Sequence, residues 1–130
     1  MRKETQNWLD SSSYDYETGA HMLQSGRYIY VIFMCHLSLE KMLKALIHEA
    51  TGALPPKSHD LIQLAVRAGI AFPAQLSRFV GKVNAASLVT RYPEDLAQLL
   101  AAYPRDVAQS YLEQTGEVLT WLSQDTRLTL

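Results

Sequence analysis

The segment from Arg27 to Ala50 limits the fold more than any other part of the chain. Tyr28, Ile32, Cys35, Leu39, Met42 and Leu46 recur at steps of three and four residues, flanked by Val31 and Leu43. That spacing stacks side chains on one face of an α-helix. A second ridge, His36, Glu40, Lys44 and His48, repeats every four residues beside it. Tyr28 to Phe33, taken alone, is rich in aromatic and β-branched residues and fits a strand. Its continuity with the helical period through Ile47 decides for helix. Thr51-Gly52 and then Pro55-Pro56 end the segment, because proline has no amide hydrogen to donate. A helix of this length with an apolar stripe needs other helices to cover it.

The remaining chain supplies them. Residues 4–24 read as a first helix, with Trp8, Ser12, Tyr16, Ala20 and Leu23 on one face and Ser25-Gly26 as its end. Lys57-Ser58-His59-Asp60 opens a short third helix, with Ser58 as N-cap and Asp60 in the first turn. Leu61, Leu64 and Ala65 form its buried side, and Gly69 closes it. Pro73 starts a fourth helix to about Ser87, with Leu76, Phe79, Val80 and Val83 inward. A loop carrying Arg91-Tyr92-Pro93 follows, then a helical turn over 94–101. Pro104 suits the first position of a fifth helix running to about Gln124, with Val107, Tyr111, Gln114, Val118 and Leu122 on one stripe. The predicted class is all-α, an antiparallel up-and-down bundle of four to five helices, with residues 1–130 as a single domain.

Composition narrows the function classes. The net charge of −1 provides no global field to attract nucleic acid, so any such site has to be a local patch. A single cysteine, Cys35, excludes an internal disulfide framework and fits a reducing compartment. The most apolar run, Tyr28 to Cys35, is far shorter than the roughly 20 residues that span a bilayer. The N-terminus has no stretch suited to export. These features predict a cytoplasmic protein with no membrane association. The four histidines, His21, His36, His48 and His59, are scattered, so no metal site is expected. No phosphate-binding glycine loop, dinucleotide fingerprint or nucleophile elbow is present, and no cofactor is expected.

Three features are candidates for chemistry. On the second helix, His36, Glu40, Lys41 and Lys44 make a polar ridge. Such a ridge is either a solvated face or a shallow anion site in which Glu40 orients the lysines. Lys57-Ser58-His59-Asp60 places a lysine and a histidine at a helix N-terminus, which offers free amides to a phosphate or simply holds an N-cap. Arg91 before Tyr92-Pro93 can bind phosphate in a two-pronged way or tie its loop to Glu40 or Asp95 by an ion pair. The candidate binding set is therefore Glu40, Lys41, Lys44, Lys57, His59 and Arg91, with no catalytic residue assigned.

Taken in order along the chain, these pieces resemble the HEPN domain family, the higher-eukaryote and prokaryote nucleotide-binding domains. The resemblance rests on Trp8-Leu9, Asp15-Tyr16 and Gly26-Arg27-Tyr28, then on the run from His36 to Leu46. It continues through Pro55-Pro56-Lys57-Ser58-His59-Asp60-Leu61, Arg91-Tyr92-Pro93 and Val118-Leu119-Thr120-Trp121-Leu122. It implies a compact bundle, often dimeric, often paired with a small nucleotidyltransferase, and linked to nucleotide or RNA binding. The toxin branch of the family cleaves RNA with an arginine followed after four to six residues by a histidine. No arginine here has a histidine at that spacing, and Arg27 to His36 leaves eight residues between. The expected function is thus a non-catalytic nucleotide- or RNA-binding partner domain that homodimerises or docks on a nucleotidyltransferase. The apolar stripes on the first, second and fifth helices exceed what a small bundle needs inside, which points the same way. Two alternatives stand beside it. One is a metal-independent RNase in which His36 or His59 acts as general acid or base and Arg91 stabilises the transition state. The other is a purely structural helical-bundle interaction protein.

Overall fold

A computed structural model describes residues 1–129. Among the described residues every regular element is helical: α1 (Lys3–Gln24), α2 (Tyr28–Thr51), α3 (Leu61–Ala68), α4 (Ala74–Arg91), α5 (Leu96–Ala102) and α6 (Arg105–Ser123). The four long helices, α1, α2, α4 and α6, correspond to four of the five predicted. The short α3 follows the prolines, and the turn expected over 94–101 is the seven-residue α5.

Helix α2 is the axis of the bundle and packs against every other helix. Its apolar stripe is buried as predicted: Ile32, Cys35, Leu39, Met42 and Leu46 are all inside, with Val31 and Leu43. So is the polar ridge beside it. His36, Glu40, Lys44 and His48 are buried rather than solvated, because α2 is enclosed from both sides. Burying charged groups is costly unless each finds a partner. Gly52, in the left-handed region at φ 69°, ends α2 by donating its amide to the His48 carbonyl at 2.8 Å.

Helix α1 lies antiparallel along α2 with the expected face inward: Ser12 is fully buried and Tyr16, Ala20 and Leu23 pack against the core, while Thr5, Asp15 and Gly19 extend the contact line beyond it. Trp8, Tyr16, Ala20 and Leu23 are only half-buried. The buried positions are Thr5, Ser12, Asp15 and Gly19. Small side chains let the two backbones approach. The Ser12 hydroxyl donates to the Ser38 carbonyl at 2.7 Å, and a Cβ on Gly19 would stand 3.2 Å from both Met34 Cβ and Leu112 Cδ1. A hydrophobicity pattern does not register a seam of this kind.

Two boundaries also differ from the expected ones. The N-cap of α3 is Asp60, whose carboxylate accepts from the Ile62 and Gln63 amides, and not Ser58. Ser58 instead turns its hydroxyl to the Asp60 amide. Helix α4 continues past Ser87 to Arg91, so Arg91 occupies its last turn and is not on a loop. Thr90 sustains that extra turn by donating to the Ala86 carbonyl at 2.9 Å.

Candidate functional site

Where α2, the segment leading into α3 and the end of α4 meet, a chain of polar contacts centres on Glu40. Glu40 Oε1 lies 2.8 Å from His59 Nδ1, and its Oε2 accepts from Lys44 Nζ at 3.1 Å. Lys44 and Glu40 are one helical turn apart on α2, the spacing that lets such a pair meet. The Lys44 ammonium also faces the Trp8 ring at 5.8 Å from its centroid, so α1 supplies its other neighbour.

His36 connects this pair to α4. Its Nε2 is 2.8 Å from the His59 carbonyl oxygen, and its Nδ1 is 3.3 Å from Arg91 Nη2. A carbonyl only accepts and a guanidinium only donates. His36 is therefore the neutral tautomer that carries its proton on Nε2 and offers the Nδ1 lone pair to Arg91. Burial pushes its pKa below the ordinary histidine value, Glu40 opposes the fall, and Arg91 adds to it. The electrostatics and the hydrogen bonds agree on an uncharged ring.

Arg91 stacks its guanidinium on the Phe33 ring, 4.6 Å from the centroid. It pairs with neither Glu40 nor Asp95, the two carboxylates considered from sequence. None of the ion pairs among the described residues includes it. Its Nε is buried and without a hydrogen-bond partner. Asp95 is occupied in capping α5 through the Gln98 amide.

The structure thus brings together Glu40, Lys44, His59 and Arg91 of the candidate set, with His36 between them. Lys41 points elsewhere, 2.7 Å from Asp15 on α1. Lys57 is exposed, two residues before His59, and takes no part in these contacts. The α3 N-terminus has no amides to spare in its first turn. Leu61 donates to Asn84 Oδ1 at 2.9 Å, and Ile62 and Gln63 donate to Asp60. Asn84 Nδ2 returns a bond to Asp60 at 3.2 Å, which pins α3 to α4.

His36 stands on the ridge read from sequence but outside the candidate binding set. Its four-residue spacing to Glu40 was the available signal. For Phe33 and Asn84 no such signal existed, since their partners lie dozens of residues away. No three-residue cluster of histidine, cysteine, aspartate or glutamate able to hold a metal occurs among the described residues. No described helix is long and apolar enough to cross a membrane.

The sequence model of the HEPN domain matches residues 5–125. This chain belongs to the HEPN family. Two solved structures share the fold. TT1696 from Thermus thermophilus superposes with a TM-score of 0.80 at 21% identity, over 95% of this chain and 98% of that one. ST0689, described as an archaeal HEPN homologue, gives 0.74 at 18% identity, over 95% and 97%. Among curated proteins nothing matches. The HEPN bundle places Arg91 against His36 although the two are 55 residues apart in sequence. The short arginine-to-histidine motif of the toxin branch is absent from this HEPN chain, while an arginine and a histidine still meet in space.

Proposed function

We propose that this HEPN domain is a non-catalytic module that binds the phosphates of a nucleotide or RNA beside Arg91, His59 and Lys57. In this reading it works as a homodimer or docked on a small nucleotidyltransferase. The observation that carries the reading is Arg91, a half-buried cation with no carboxylate partner and a buried, unpaired Nε. The His36 lone pair and the Phe33 ring compensate this half-buried charge only in part, and an incoming phosphate would complete the compensation in the bidentate geometry arginine favours. Glu40 and Lys44 act here as positioning groups: they neutralise each other, and Glu40 holds the His59 ring. Lys41, bound to Asp15, fixes α1 against α2.

Binding of this kind releases counter-ions and therefore weakens as salt rises. Titration of the protein with a short RNA and with a nucleotide at low and physiological salt tests it. The reading expects affinity that falls with salt and falls further in Arg91→Ala and Lys57→Ala while far-UV circular dichroism is unchanged. Folded variants that bind as well as the parent would refute it.

One observation favours a second reading, phosphodiester cleavage. Glu40 holds His59 Nδ1, and the His59 side chain is 63% exposed, which leaves Nε2 for a proton transfer at the surface. His36 does not suit that role, because it is 1% exposed and both of its nitrogens are engaged. Cleavage of a labelled RNA by the parent that is lost in His59→Gln would favour this reading over simple binding.

A further inference from the structure

A groove of about 490 Å³ opens beside Arg91, between the first turns of α2 and the end of α4. Ile29, Tyr30, Phe33, Arg91, Tyr92 and Leu96 are among the residues that line it. Its chemistry is unusual for a site meant only for phosphate. One cation sits among three aromatic rings, and two of those rings are open to solvent: Tyr30 is 50% and Tyr92 73% exposed. Phe33 is already covered by the Arg91 guanidinium.

We infer that this groove is a subsite for an unpaired nucleobase, stacked between Tyr30 and Tyr92, whose adjoining phosphate is held by Arg91. The inference rests on the phosphate-binding reading above and adds the part of the ligand that lies beyond the phosphate. A flat, largely apolar base suits the rings, since base–aromatic stacking tolerates any sequence. The phosphate next to it suits the one cation that lacks a counter-ion. A volume of this size falls within the range of small-ligand sites and admits a base with its sugar. A base within a duplex is stacked on its neighbours and cannot enter, so the ligand is single-stranded.

The alternative occupant is an apolar face of a second copy of the chain. Two-fold packing over this groove would bury Arg91 with no acid of its own, and buried unpaired charges are strongly unfavourable. Glu94 and Asp95 line the adjoining groove on the far side of Tyr92-Pro93. Their carboxylates disfavour phosphate there, so the nucleic-acid chain leaves the subsite toward His59 and Lys57.

The test compares three ligands by fluorescence anisotropy on the full chain. They are an unstructured RNA of about ten nucleotides, within the usual span of single-strand sites, an abasic chain with the same number of phosphates, and a duplex of the same sequence. The inference expects the unstructured RNA to bind roughly 5- to 150-fold more tightly than the other two, the range given by loss of one stacked base. Tyr92→Leu and Tyr30→Leu should bring its affinity down toward that of the abasic chain, with abasic binding and the circular dichroism spectrum unchanged. Equal binding of RNA and abasic chain, unaffected by either tyrosine variant, would overturn the base subsite and leave the phosphate reading intact. Absence of binding to all three ligands would overturn both. Tyrosine variants that lower the sedimenting mass yet leave RNA affinity unchanged would assign the groove to a protein interface, and so would also overturn the inference.

Discussion

Helices α2 and α5 are both rich in apolar residues, yet the bundle treats them in opposite ways. In α2, 15 of 24 residues are buried. In α5, Leu96–Ala102, none is. Leu96 and Leu100 stand about half exposed, and Leu88, Val89 and Tyr92 at the end of α4 continue the same apolar surface. A seven-residue helix with so little packing gains little from its own hydrogen bonds. The contrast shows where the chain carries its stability and where it keeps surface for something else. Stability is concentrated along α2, even to the extent of burying a charged ridge. Exposed apolar side chains gather on the end of α4 and on α5, next to Arg91, with others at Tyr14 on α1, Tyr30 on α2 and Ile62 and Val66 on α3.

If that division holds, the largest mutational effect falls on the buried charge. Glu40→Ala leaves Lys44 buried without its counter-ion and His59 without its anchor. It should cost about 3–5 kcal/mol, the usual range for removing one partner of a buried pair. Chemical denaturation measures this, and a loss under about 1 kcal/mol would mean that the ridge is solvated after all.

A matched pair of truncations sharpens the contrast. Leu39→Ala, at a 1% exposed position, should cost about 2–5 kcal/mol. Leu100→Ala, at a position 49% exposed, should stay within about 0.5 kcal/mol of the parent. Equal losses at the two sites would show that α5 is as integral to the core as α2.

A subtler effect follows from His36. Its folded pKa lies below the ordinary value of 6.5, mainly through burial. As pH falls below about 6.5, the unfolded imidazole takes up a proton before the folded one does, so unfolding gains. The stabilising contribution is complete above pH 6.5 and is lost as pH drops through the folded pKa. The denaturation midpoint should therefore fall between pH 7.5 and 5.5, and fall less in His36→Gln, which cannot titrate. A variant with the same acid sensitivity as the parent would assign that sensitivity to another group.

Much of this was legible in the sequence, and the exceptions have two causes, small side chains and partners distant in the chain. The α2 stripe, the proline stop and the inward residues of α3 and α4 follow from periodicity, which reports apolar burial directly. On α1, Ser12 lies on the expected face, but Thr5 and Gly19 escape that signal because they pack by being small, and smallness leaves no hydrophobic period. The α3 cap falls on Asp60 rather than Ser58 because Asn84, from a distant helix, takes the Leu61 amide and completes the turn. Within the candidate site, Glu40 with Lys44 was visible as a helical pair. The contact of His36 with Arg91 bridges 55 residues and depends on α4 running one turn longer than its pattern indicated.

The central claim is that Arg91 is kept without a carboxylate so that an external phosphate can take that place. Titration of a short single-stranded RNA into parent and Arg91→Ala protein, at low and physiological salt, tests it most directly. The account predicts measurable, salt-sensitive binding by the parent, and in the folded variant both weaker binding and a shallower salt slope. Affinity and slope that are the same in the variant and the parent would contradict it.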